Sequence, residues 1–352
     1  MTDRTISLSQ MMTVLFLALF PLGTEWLVGL LAPAGSAAWV CPLAAGMVVL
    51  LLVVLVSRRG IGDPLDRFGP RAARVWAGLF LVWGLILTAA QAVRVGSRLS
   101  DSLRASPVLL TAAVLLLSGW IAAGGLPAFA RASQIFSLAV GGGFLFICLF
   151  GVLRLEWDQV LLWEPGELAQ VPSGIATVAG VLAVGCFALL IKKNVKPEPG
   201  ARRKVVFRLG RLFLLLAAAM VLILGRFGPV LAGRINRPFF QMVSGLGFEG
   251  AFQRLEELVS ALWVLGDVAL LGFLLLCMER LAVRVTGKAG GHEVWWLTLL
   301  VFLMSLPTVF WNRVLEGEIL LWGTLAAGVL LTLFSALSRE RERTSKKFKK
   351  RG

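Results

Sequence analysis

One feature dominates the chain: stretches of about 20 mostly apolar residues, the length a helix needs to cross a hydrocarbon layer, recur between short charged or Pro/Gly-containing connectors. About ten such stretches are read, near residues 8–31, 37–57, 73–95, 107–125, 129–153, 172–192, 206–231, 253–279, 294–312 and 317–337. They are continuous apolar runs and not short alternations, so they predict spanning helices and exclude an outer-membrane barrel. The fold class expected is therefore all-α, polytopic and membrane-embedded.

Composition agrees. With 58% hydrophobic residues and a mean hydropathy of +0.83, the chain has too little polar surface to enclose itself in water. No composition break sets off a soluble domain. A single transmembrane domain over 1–338 is expected, followed by a basic cytoplasmic tail over 339–352, R-E-R-E-R-T-S-K-K-F-K-K-R, that suits anionic lipid headgroups. The first apolar run is too long for a signal peptide and lacks a cleavage site, so it is read as the first span.

The net charge of +15 invites a nucleic-acid reading, which its distribution excludes. With the N-terminus inside, roughly 26 of the 35 Lys and Arg side chains fall on the inner side, as the positive-inside rule requires. Both termini are thus expected in the cytoplasm. The exception is the third connector, where Arg94, Arg98 and Arg104 are placed outside.

Ten spans with both ends inside permit two five-helix repeats of opposite orientation, about 8–153 and 172–337, with the first and sixth helices broken at mid-membrane. In the first span Pro21 removes a backbone donor and Gly23 permits non-helical dihedrals. The sixth carries Gly174, Gly180 and Gly185. Such glycines also serve simply to let helices approach closely. If the first helix opens, the amides from Thr24 onward suit a ligand carboxylate and the preceding carbonyls an ammonium group, a pairing that fits an amino acid.

No catalytic constellation is present. The one histidine, His292, lies in a connector, and no metal-ligand, triad or phosphate-loop spacing occurs, which points away from an enzyme and from any cofactor or metal. The four cysteines read as apolar fillers. Ionisable groups in a span are functional candidates by default. Glu25 follows the Pro21–Gly23 element, and Asp267 lies in the eighth span one helical turn after Trp263. Each is either a ligand or proton group or the buried partner of an arginine, with Arg94 and Arg226 available. Leu22, Gln91 and Cys186 complete the candidate pocket wall, though ordinary packing is the readier account of Gln91 and Cys186. The stretch from Arg226 to Gln253, with G-R-F-G-P and N-R-P-F-F, reads as short re-entrant or interfacial helices.

Three stretches resemble the B subunit of spore germinant receptors, the GerAB-like spore permease family of the amino acid, polyamine and organocation transporter superfamily. They are I-S-L-S-Q-M-M-T-V-L-F-L with the later G-S-A-A-W-V; G-G-L-P-A-F-A-R-A-S-Q-I-F; and N-R-P-F-F-Q-M-V followed by G-F-E-G-A-F-Q-R-L-E-E-L-V-S-A-L-W. Arg131, Pro238, Phe252, Arg254, Glu256 and Trp263 occupy the family's motif places. The early Trp39 is preceded by Ala38 where the family often has an acidic residue.

The resemblance implies a LeuT-like fold that senses a small germinant, an amino acid or similar solute, alongside an A-type membrane subunit and a lipoprotein C-type subunit in the inner spore or cell membrane. The residues alone leave two rivals: an amino acid permease using Glu25 or Asp267 as a proton site, and a ligand-free scaffold subunit. Arg254 and Glu256, at a helix start, also fit plain capping and ion pairing.

Overall fold

Apolar runs this long satisfy their own backbone only as helices, and the computed structural model, which describes residues 5–59, 62–66, 68–246, 255–287, 292–307, 311 and 318–349, is helical at each of them. We label the principal helices α1 (Leu8–Leu30), α2 (Val40–Arg59), α3 (Pro70–Leu103), α4 (Pro107–Ala123), α5 (Leu126–Gly151), α6 (Val171–Leu182), α7 (Ala201–Arg234), α8 (Leu255–Thr286), α9 (Glu293–Ser305) and α10 (Ile319–Lys349). Among the described residues eight segments are long and apolar enough to span a membrane. α4 and α9 are shorter, at 17 and 13 residues. The side chains beyond Ser338, and with them the basic tail's contacts, lie outside the described residues, as do Phe252 and Arg254.

α1 begins at a capping box. Ser7 Oγ accepts from the Gln10 amide at 3.1 Å while Gln10 Oε1 accepts from the Ser7 amide at 3.0 Å, satisfying donors that a helix start leaves open. α1 then packs on α5, α6, α7 and α8, while α2 lies on α7 and α3 on α8. Each of α1, α2 and α3 thus touches the helix five places later in this order.

Two expectations need correction. The opened main chain around Pro21 to Thr24 is absent: α1 stays helical from Leu8 to Leu30 with Pro21 inside it. Proline removes one amide and frees the Leu17 carbonyl, but α8 presents Gly266 there. A Cβ on Gly266 would collide with the Pro21 ring and lie 3.1 Å from the Leu17 oxygen, so the backbone of α8 covers this spot instead of water. Thr24 Oγ1 donates to the Pro21 carbonyl at 2.9 Å and ties the turn together. In the sixth span the discontinuity is a change of winding, from α-helix to a 3-10 helix over Ala183–Asn194.

The third span is also longer than its apolar run. α3 continues to Leu103 and ends on Arg104 in the left-handed region, φ 52°. Arg94 and Arg98 are therefore helical residues and do not belong to a connector. In the stretch from Arg226 onward α7 bends at Gly228, φ 70°, and a short helix Pro238–Ser244 follows with Phe239, Met242 and Val243 buried, while residues 247–253 lie outside the described residues.

At the end of the bundle where the 3-10 helix Ala183–Asn194 and α8 finish, the 62–66 segment acts as a clasp. Asp63 takes both guanidinium nitrogens of Arg284, and Asp66 pairs with Arg284 at 2.6 Å and Lys193 at 2.7 Å. Gly62 exchanges two hydrogen bonds with Ser335 of α10. Burial pushes the Asp66 carboxyl up, but hydrogen bonds and charges from Lys193 and Arg284 outweigh it and hold the group below its ordinary value. A depressed carboxylate stabilises the fold above the unfolded-state value, about 4, and loses that contribution as pH falls through the lowered one. Arg284→Ala should therefore flatten the acid limb of the stability profile, measured by thermal unfolding between about pH 1 and 5; an unchanged acid limb would count against the clasp.

Candidate functional site

The polar core of the bundle is built from α1, α3 and α8. Arg98, 1% exposed, reaches from α3 to two carboxylates, pairing through Nη1 with Glu25 at 2.6 Å and through Nη2 with Asp267. A charge costs several kcal/mol to hold in a bilayer unless paired, and here one guanidinium serves two acids. Arg94, one turn earlier on the same face, lies over the Trp26 ring, within electrostatic reach of Glu25. The two arginines and two acids sum to zero formal charge. Arg98, not Arg94 or Arg226, is thus the partner of both acids.

The short helix Pro238–Ser244 closes over this core. Phe240 lies 5.3 Å from the Arg98 guanidinium, and Arg237 pairs with Asp101 at 2.6 Å while donating to the Arg98 carbonyl at 3.4 Å. Trp263, fully buried, donates from Nε1 to Thr24 Oγ1 at 2.9 Å and packs on Phe239 with ring centroids 4.7 Å apart. Thr24 and Trp263 therefore belong to one hydrogen-bonded chain that starts at the Pro21 carbonyl.

Beside this core lies a cavity of about 60 Å³, the space open to the centre of a water molecule. One water needs roughly 10–15 Å³ by that measure, so there is room for a few waters or part of a small solute. Its wall takes Leu22 and Trp26 from α1, Gln91 and Arg94 from α3, Gly180 and Val181 from α6, Leu270 and Leu274 from α8, and Thr324 from α10. Gln91 is 5% exposed. One buried donor in this wall, Arg94 Nη2, has no protein acceptor, and a second, Gln91 Nε2, makes no hydrogen bond of full geometry although it lies beside the Asp267 carboxylate.

The sequence-derived candidates divide accordingly. Leu22, Gln91 and Gly180 line the cavity. Pro21, Glu25 and Asp267 stand next to it in the α1–α3–α8 core, with Thr24 and Trp263. Gly23 and Gly185 are close-approach points instead, since a Cβ on Gly23 would lie 2.6 Å from Leu216 of α7 and one on Gly185 would lie 3.0 Å from Leu19 of α1. Cys186 faces α10, where the Thr332 hydroxyl meets its sulfur at 3.7 Å. Arg131 is exposed on α5, Pro238 opens the covering helix, and Glu256 sits half-buried in the first turn of α8. Arg98, Trp26, Val181, Leu270, Leu274 and Thr324 were not singled out by the sequence. For Arg98 a signal existed, because Gln91, Arg94 and Arg98 fall at i, i+3 and i+7, one polar stripe on a continuing helix.

No family model and no curated protein matches the chain. Among solved structures it is similar to MhsT in complex with L-phenylalanine, with a TM-score of 0.68 over 96% of this chain and 93% of that one, at 15% identity. At that identity the likeness is one of fold, and it shows that this chain is an all-α membrane protein with the LeuT-like transporter fold.

Proposed function

We propose that this transporter-like protein holds a small amino acid or similar solute in the cavity between α1, α3, α6, α8 and α10, and that occupancy is its signal, as in the germinant-receptor B subunits its motifs resemble. The observation that supports this reading is a buried donor without an acceptor, Arg94 Nη2, with the Gln91 amide beside it in a largely apolar wall. Leaving such groups unpaired costs free energy, and a solute that satisfies them recovers it. For occupancy to signal, the solute must bind one conformation more tightly than another. In this reading the A-type and lipoprotein C-type subunits receive the change.

The likeness to a LeuT-fold protein solved with an amino acid bound favours a second reading, an amino acid permease. The two separate in proteoliposomes, because a permease accumulates tritiated amino acid and a sensor binds without accumulation. Val181→Trp fills the cavity and should reduce binding in a tritiated L-amino acid panel at least about tenfold. Full binding by that variant would refute the cavity as the site, and intact receptor assembly with no solute binding would leave the scaffold role.

A further inference from the structure

We infer that the group recognised in this cavity is the solute's carboxylate, gripped by the side chains of Arg94 and Gln91, and that a free ammonium group is not required. The inference rests on the cavity being the solute site. In a helix opened at mid-membrane, main-chain amides would meet the carboxylate and main-chain carbonyls the ammonium. Here α1 is unbroken, and the Leu17 carbonyl that Pro21 releases lies against Gly266. The work of recognition passes to side chains.

The donors are in place. Arg94 is held by its stack on Trp26, and its Nη2 points to no protein oxygen. Gln91 stands three residues before it on the same helix face; its amide nitrogen makes no hydrogen bond of full geometry and lies beside the Asp267 carboxylate. A guanidinium offers a planar fork of donors matched to the two oxygens of a carboxylate, and an amide one turn away on the same helix face can add a further donor.

An ammonium group finds less. Both nearby carboxylates, Glu25 and Asp267, are bound by Arg98. Thr324, whose hydroxyl donates to the Leu320 carbonyl at 2.5 Å, and the side-chain oxygen of Gln91 supply neutral acceptors only. The rest of the lining named above is Leu, Val, Gly and Trp. The chemical class this wall fits is a short apolar monocarboxylate, with an α-amino acid one member of it.

The test compares L-valine, 3-methylbutanoate (the same skeleton without its ammonium group) and isobutylamine (the skeleton without its carboxylate) on the full-length protein in nanodiscs, by thermal shift and by competition against tritiated L-valine. The acid should bind within about tenfold of L-valine and the amine at least about a hundredfold more weakly, the difference expected for a buried charge-assisted pair. Arg94→Gln should weaken both carboxylates at least about tenfold, and Gln91→Leu, which keeps the side-chain volume, should do so to a smaller degree. Gln91→Leu decides the matter if Arg94→Gln does not fold. Binding of L-valine and isobutylamine without 3-methylbutanoate, or acid binding untouched by Gln91→Leu, would overturn the inference while leaving the cavity as the site. Failure of all three compounds to bind the wild-type protein would overturn the site and the inference with it.

Discussion

Arg98→Leu is expected to destabilise the bundle by about 3–5 kcal/mol, the cost of stranding buried charges whose partner has been removed. The variant leaves Glu25 and Asp267 facing a shared space with no cation between them, and Asp267 is only 2% exposed. Repulsion and desolvation then act together: Arg94 still lies within reach of Glu25, but Asp267 can relax only by taking up a proton or by parting α1 from α8. Thermal unfolding in nanodiscs should show the loss. Mutual compensation is the sharper readout, because the triple variant Arg98→Met, Glu25→Gln, Asp267→Asn removes all three charges and should recover most of the stability. If the triple variant proved as unstable as Arg98→Leu, the damage would come from lost packing and the ion triad would not be what holds α1, α3 and α8 together.

The triad also shows where reading the sequence stops. The ten principal helices and the all-α class follow from hydropathy, because an apolar run of helical length has few other uses. The end of α3 does not. Arg94 and Arg98 look like the first residues of a water-facing connector, and only partners about 170 residues away, such as Asp267, make a buried arginine tolerable. The same dependence on distant neighbours decides the first helix. Pro21 marks a weak point in the sequence, but whether the chain opens there depends on Gly266, whose missing Cβ lets α8 cover the exposed turn. The cavity lining is less legible still, since Val181, Leu270 and Leu274 have the composition of any lipid-facing surface and acquire meaning only through the space between them.

Trp263→Ala is expected to be as damaging as the loss of Arg98, by about 3–5 kcal/mol for deleting a fully buried indole. Its ring lies against Phe20 of α1 and against Phe239 and Phe240 of the covering helix, at centroid distances of 6.2, 4.7 and 6.4 Å. Its Nε1 holds the Thr24 hydroxyl that in turn donates to the Pro21 carbonyl. The side chain thus connects the proline turn of α1 to the helix that closes over the ion triad. Trp263→Phe separates the two roles. It keeps an aromatic ring and discards the indole donor, so it should cost only about 1–2 kcal/mol, the size of one hydrogen bond plus a small packing defect. Were binding of a cavity solute lost in Trp263→Phe with stability barely changed, the hydrogen-bonded chain through Thr24 would be the link between the α1 turn and the site; equal losses of binding and stability would make Trp263 a packing residue alone.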